Sequence, residues 1–454
     1  MFTATNPSNG EILKNYPLHD ATQVSAALQA ARDTWEKWKT TPFTDRANLL
    51  NNVAQVMEDD IAVLAEWMTL EMGKPVGEAI GEVKKSIGCA RHYAEKAEAY
   101  LAPISIESDA RHSYVQHLPL GTILGILPWN APFWLAFRFC APALMAGNTC
   151  LMKHDPHVPG CAEAIAACFL KAGAPEGLMQ NLRITNSQIA DLLRNDTVRG
   201  VSLTGSSAAG SKVAALAGAE IKPVVLELGG SDPSLVFADA DLDRAAEVLT
   251  LSRIINAGQS CIAAKRIIVE ASVYDAFIEK MRTRLAALVV GDPADAATNV
   301  GPIARDDLRQ TLHRQVTQTL EQGARCLLGG ELPEGNGYFY PVTLLVDVLP
   351  GMVAACEETF GPIAVIMKAD SEAHALQIAN DTPYGLAASI WTADTAKAER
   401  LAANIEAGQV AVNGIVKTDA RLPSGGIKRS GLGKELGPHG IHEFVNAQQV
   451  WVGA

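Results

Sequence analysis

From residue 20 to residue 100 the apolar positions recur at helical spacing. Alanine-rich amphipathic segments such as ATQVSAALQAARDTWEKWK (21–39) predict a mainly helical region there. At HSYVQHLPLGTILGIL (112–127) alternation and β-branched residues predict strand instead. Beyond it, short apolar runs alternate with helical patterns. CLMK (150–153), GVSLTG (200–205) and PVVLELGG (223–230) read as strands; GCAEAIAACFLKAG (160–173) and AAGSKVAALAGA (208–219) read as helices. Such alternation implies parallel βαβ units. A second alternating run opens with DPSLVFADADLDRAAEVLTLSRI (232–254), so the pattern predicts two α/β lobes divided near residue 230. The stretch 108–120 and a late strand in HEFVNAQQVWV (442–452) stand apart from both lobes, and a protruding hairpin for subunit contact would explain them.

Composition narrows the class. A chain of 454 residues has room for two or three domains with substantial cores, and 48% hydrophobic against 19% charged residues is the balance of a soluble globular protein. The net charge of -12, from 50 acids against 38 bases, argues against nucleic acid or an anionic membrane surface as partner. The most apolar stretch, Gly121 to Met152, is interrupted by three prolines, Asn130 and Arg138, and does not read as a membrane span. The amino-terminal MFTATNPSNG lacks the features of a signal peptide. The eight cysteines form no C-x-x-C pair, so neither a zinc cage nor a disulfide framework is indicated, no metal is expected, and a reducing, cytoplasmic setting fits best.

Some polar residues stand where the pattern does not explain them. Glu227 lies inside the apolar PVVLELGG: either a paired or partly exposed carboxylate, or a general base of raised pKa at the carboxyl end of a strand. Asn130 follows a strand and a Pro-Trp pair; it either bonds a turn or aims its amide at an oxyanion. Arg138, embedded in FWLAFRFCAPAL, needs an anion: a structural carboxylate or that of a substrate. The strand-to-helix junction LTGSSAAG (203–210) could receive phosphate at the helix start, although Gly205 and Gly210 do not have the dinucleotide-fingerprint spacing. Cys261, in INAGQSCIAAKR (255–266), has small neighbours that would leave a thiolate accessible to an electrophile; most cysteines are simply small core residues.

These segments together resemble the aldehyde dehydrogenase superfamily. PWN (128–130), LTGSSAAG (203–210), LELGG (226–230), NAGQSC (256–261), EETFGP (357–362) and GGIKRSGLGKE (425–435) match its motifs in the family's order, over essentially the whole chain. The resemblance implies two Rossmann-like lobes plus an oligomerisation hairpin: a dinucleotide-binding domain over 1–107 and 121–229, a catalytic cysteine domain over 230–435, and an arm from 108–120 and 436–454. It further implies that Cys261 attacks the aldehyde, that Asn130 and the Cys261 N–H bind the oxyanion, and that Glu227 activates the water that hydrolyses the thioester. By the same resemblance Lys153 and Glu358 hold the cofactor riboses, Ser206, with Gly205 and Gly210 around it, meets the pyrophosphate, Phe360 packs at the nicotinamide, and Trp129 lines the site.

Departures from the family pattern bear on selectivity. Where many NAD-preferring relatives carry a glutamate, this chain has Pro156, which relaxes exclusion of a 2′-phosphate; Asp155 next to it could partly restore the preference, so NAD or NADP is expected, with a slight lean to NAD. Arg138 and Ser424 replace aromatics of broad-range relatives. With KH (153–154), FWLAFR (133–138) and GGSDP (229–233), this pattern is similar to the succinate-semialdehyde dehydrogenase branch. Arg138, Ser260, Ser424 and, less so, Arg421 are the candidates for the far carboxylate of such a substrate. Alternatives are glutarate semialdehyde or a neutral aliphatic aldehyde, a coenzyme A-dependent acylating enzyme, and a catalytically silent homologue. A homodimer or homotetramer is expected from the family likeness.

Overall fold

The structure, a computed structural model, describes residues 1–453. The helical region resolves into four helices, Ala21–Trp38, Phe43–Asp59, Ile61–Met72 and Val76–Tyr100. The first starts at a capping box, in which Asp20 accepts from the Gln23 N–H and the Gln23 side chain reaches back to the Asp20 N–H. The third ends at Gly73 in the left-handed conformation, where a Cβ would also run into Pro302. A short antiparallel pair, Phe2–Thr5 with Ile12–Tyr16, precedes them, an element the periodicity did not signal.

The strand expected over 112–127 breaks at Gly121, whose φ of +143° and contact with Arg199 leave no room for a side chain. Its halves belong to different sheets. Thr122–Leu127, fully buried, is central in a six-stranded sheet ordered Gly431–Leu432, Val224–Glu227, Val198–Thr204, Thr122–Leu127, Thr149–His154, Met179–Asn181. Every pairing is parallel except that of the short Gly431–Leu432 at the edge. His112–Pro119 instead lies between Ile104–Ser105 and Val445–Val452 in a separate three-stranded antiparallel sheet.

After Glu227 the chain crosses to a seven-stranded sheet ordered Arg325–Leu328, Thr343–Val346, Ile363–Ala369, Arg266–Glu270, Pro233–Val236, Ala387–Trp391, Gln409–Val412. It is parallel apart from its first pair. Strands such as Ala387–Trp391 are buried at every position because helices cover both faces of a parallel sheet, which is why they read as unbroken apolar runs. The chain returns to the first sheet at Gly431–Leu432, placing the segment after Arg421 beside Glu227. Packed on the first sheet is Pro132–Met145, a helix buried at all positions, so close that a Cβ at Gly125 would meet the Phe139 ring. No helix among the described residues is long and apolar enough to cross a membrane.

Candidate active site

The loop before Cys261 is held in an uncommon conformation. Asn256, Ala257 and Gly258 have successive φ values of 57°, 53° and 73°. Non-glycine residues in the left-handed region cost of order 1 kcal/mol or more each, and persist where surrounding contacts over-determine them. Those contacts are present. The Asn256 side chain donates to the carbonyls of Asn130 (2.7 Å) and Gln259 (3.1 Å), and its N–H donates to Glu78 (2.7 Å). The Gln259 amide donates to the Asn256 carbonyl and accepts from the Ala304 N–H. Gly258 packs on Gly361 so closely that a Cβ would lie 2.2 Å from the Gly361 carbonyl oxygen. This answers why small and amide residues precede the cysteine: they build the turn that turns Cys261 outward.

Cys261 and Ser260 line a cavity of about 430 Å³. Its wall is largely apolar, with Trp134, Leu135, Leu251, Ile255, Ile262 and Ile415, and Asn130 lies beside the sulfur loop with its amide donating to the Gln259 carbonyl (3.1 Å). Among the described residues Cys261 is the cysteine that reaches this cavity; five others are buried, and Cys326 and Cys356 lie elsewhere. Burial pushes the Cys261 thiol up to about 11, against the nearby positive charges of Lys265 and then Arg138. Lys265 is fully buried and donates to the carbonyls of Ser260 (2.8 Å) and Cys261 (2.5 Å) while pairing with Glu358 (3.1 Å).

Arg138 also lines the cavity, but its charge is shared. Its Nη2 lies 3.0 Å from a Glu227 carboxylate oxygen, and its Nε donates to Glu435, all three being buried. Glu435 also accepts from Ser202 (3.0 Å). Glu227, at the end of Val224–Glu227, stands behind Arg138 rather than on the cavity wall. Burial pushes its carboxyl well above the usual range, Arg138 opposes this and Glu435 adds to it; its Oε1 has no protein partner.

Two of the substrate candidates lie elsewhere. Ser424 is buried in a bridge to Glu435, its hydroxyl within reach of Gln409 (3.4 Å), and does not line the cavity. Arg421 is exposed and binds Asp419 with two nitrogens, at a neighbouring opening. In both cases the chain's return to the first sheet, invisible in the local pattern, directs the side chain away. Gly210 is explained by packing, since a Cβ there would meet Leu228 at 2.6 Å.

The residues assigned to a dinucleotide fit one. Lys153, buried at the end of Thr149–His154, has its ammonium pulled down by burial against Asp155. Burial pushes Asp155 up, but its bonds from the His157 N–H and ring outweigh this and leave it below its ordinary value. Pro156 is half-buried between them. Gly205 is half-buried, and exposed Ser206 caps the helix Ser207–Ala219, accepting from the Ala209 N–H (3.2 Å), so the first-turn N–H groups face outward where an anion is favoured. Glu358 accepts from the Gly230 N–H (3.1 Å) and lies over Gly229, where a Cβ would meet its carboxylate at 2.3 Å. Phe360 stands edge-on to Trp129, centroids 5.8 Å apart.

Sequence reasoning passed over Lys265, Glu435, Asn256 and Lys85. Lys85 is three residues after buried Glu82 and four before buried Cys89, a helical phase that places it inward beside exposed Lys84; that spacing was the available signal. Glu435 carried none, because its partners Arg138 and Ser202 are remote in sequence, and neither did Lys265, whose ionic partner Glu358 is equally remote.

A profile of the aldehyde dehydrogenase family matches residues 1–450, and the chain belongs to that family. The fold is the Rossmann-like fold of its solved members. A Synechocystis sp. protein named "Probable succinate-semialdehyde dehydrogenase (NADP(+))" is 46% identical over 447 residues, covering 98% of each chain. Escherichia coli (strain K12) "Succinate semialdehyde dehydrogenase (NAD(P)+) Sad" is 43% identical, covering 98% of this chain and 96% of its own. The succinic semialdehyde dehydrogenase of Streptococcus pyogenes, solved in complex with NADP+, superposes with a TM-score of 0.98 at 33% identity over the full length of both chains.

Proposed function

We propose that this protein oxidises succinate semialdehyde to succinate with NAD or NADP. The observation that carries the reading is the partly exposed Cys261 on a largely apolar cavity whose wall also bears cations. Family membership and relatives named for this substrate and these cofactors support it. The absence of a carboxylate at Pro156, with Asp155 beside it held as an anion by His157, is consistent with use of either cofactor.

In this reading the Cys261 thiolate forms a bond to the aldehyde carbon and the carbonyl electron pair moves to oxygen. Asn130 and the Cys261 N–H stabilise that oxyanion. Lys153, Ser206, Glu358 and Phe360 would hold a dinucleotide, which would supply the hydride acceptor for oxidation of the adduct to a thioester. Glu227, leaving Arg138, takes a proton from water, whose oxygen adds to the thioester carbon; the C–S bond then breaks and sulfur departs as thiolate. Arg138 lowers the cost of ionising both Glu227 and Cys261. The six-stranded sheet with its helices serves as the cofactor lobe, the seven-stranded sheet as the catalytic lobe, and the three-stranded arm, with Ile104, Trp451 and Val452 exposed, joins copies into a homodimer or homotetramer.

Steady-state rates with succinate semialdehyde, glutarate semialdehyde and butanal, each with NAD and NADP and without coenzyme A, test the reading. The expected result is the highest kcat/KM with succinate semialdehyde and no need for coenzyme A. Equal rates with butanal, or a strict need for coenzyme A, would overturn it.

A further inference from the structure

The cavity holding Cys261 has four cationic side chains on its wall, Lys74, Lys85, Arg138 and Lys417. Lys74 is paired with Glu82 and Arg138 with Glu227 and Glu435. Lys417 is exposed. Lys85 differs from all three. It is half-buried on Val76–Tyr100, has no carboxylate partner, donates to the neutral Thr418 hydroxyl (2.6 Å), and rests 4.0 Å from the Trp134 ring centroid. A half-buried ammonium lacking an anion carries a desolvation cost that a hydroxyl and an aromatic face compensate only in part.

Its position adds a second observation. Lys85, Trp134 and Thr418 line both this cavity and an adjoining opening of about 450 Å³, so they form the partition between them. A ligand entering through that opening would reach the ammonium before the sulfur. We infer that Lys85 binds the far carboxylate of the semialdehyde and selects it over uncharged aldehydes, with Thr418 holding the ammonium until the substrate arrives. The inference rests on the semialdehyde reading and names the group that reads the charge; Arg138, already shared between two carboxylates, sets the electrostatics behind it.

Burial, then the positive charge of Arg138, pulls the Lys85 ammonium down to about 8; Glu82 on its own helix, Cys89 and Cys261 pull it up. The adjoining opening adds Arg91, His92, Glu95, Asp419 and Arg421 to the charged and titratable groups around it. An arriving carboxylate favours the protonated form, so recognition should weaken as pH rises past this value.

The test is the full-length enzyme with Lys85→Met and Lys85→Arg, on succinate semialdehyde and on butanal. Loss of a charge-assisted contact predicts a KM for the semialdehyde raised about 10- to 100-fold in Lys85→Met, with kcat much less affected and butanal kinetics changed far less. Lys85→Arg should retain most of the preference, and should remove the rise in semialdehyde KM above pH 8 expected of the parent. In the parent enzyme, succinate should protect Lys85 from trinitrobenzenesulfonate labelling and butyramide should not; this readout needs no variant to fold. Equal effects of Lys85→Met on both substrates, an unchanged semialdehyde KM, or labelling indifferent to succinate would each overturn the assignment. A parent enzyme without preference for the semialdehyde would defeat the substrate reading itself, whereas a preference that survives in Lys85→Met defeats only the role of Lys85.

Discussion

Replacing Arg138 with leucine removes the one cation between two buried carboxylates. At the observed 3.0 Å separation from Glu227, an effective dielectric of ~20 gives a Coulomb attraction of about 5–6 kcal/mol before desolvation is subtracted. Deleting one partner of a buried pair typically costs about 3–5 kcal/mol, because the remaining charge is left uncompensated. Here two carboxyls are left, so the loss must depend on pH. Glu227 already lies above its unfolded value, and without Arg138 it rises further. A carboxyl raised in the folded state binds its proton more tightly there than in the unfolded chain. Its contribution to stability is therefore fullest below the unfolded pKa and is lost as pH rises through the folded one. Urea unfolding followed by tryptophan fluorescence should show Arg138→Leu destabilised by about 3–5 kcal/mol at pH 8 and by clearly less at pH 5.5. Thioester hydrolysis, measured after rapid acylation, should also need higher pH than in the parent, since its base is harder to ionise. A loss below about 1 kcal/mol at pH 8, or one equal at both pH values, would refute the view that the three charges form one buried network.

Cys261→Ser should abolish dinucleotide reduction by any aldehyde, read as absorbance at 340 nm, while leaving dinucleotide binding by fluorescence titration intact. Glu227→Gln should accumulate acyl-enzyme, visible as a mass increase on intact protein, with a pre-steady-state burst followed by slow turnover. With the Cys261 thiol near 11, alkylation of Cys261 by iodoacetamide should accelerate about tenfold per pH unit from 7 toward 10; Lys265→Met, which removes the positive charge that most favours its thiolate, should slow alkylation throughout that range. Gly258→Ala, which forces a Cβ against the Gly361 carbonyl at a positive φ, should lower the unfolding midpoint and reduce Cys261 alkylation together.

Much of this architecture was legible in the chain itself. Alternating apolar runs and helical patterns marked two α/β lobes and a change near residue 230, because burial on both faces of a parallel sheet demands continuous apolar strands. Glu227 stood out as a carboxylate inside an apolar run and Cys261 for its small neighbours, and the small and amide residues before Cys261 are those a left-handed turn requires. What the sequence left open was who meets whom. Arg138 reads by default as a structural cation, with a substrate carboxylate as the alternative, until Glu435, 297 residues on, is seen against it. Ser424 and Arg421 looked like pocket residues until the return of Gly431–Leu432 to the first sheet turned one inward and left the other in solvent. Lys85 drew no notice in the sequence; only the fold sets Trp134 and Thr418 around it without supplying an anion. Local pattern is governed by the period of helix and strand, which the chain carries residue by residue. The balance of a buried charge depends on partners hundreds of residues away, and only the packed fold brings them within a few ångströms.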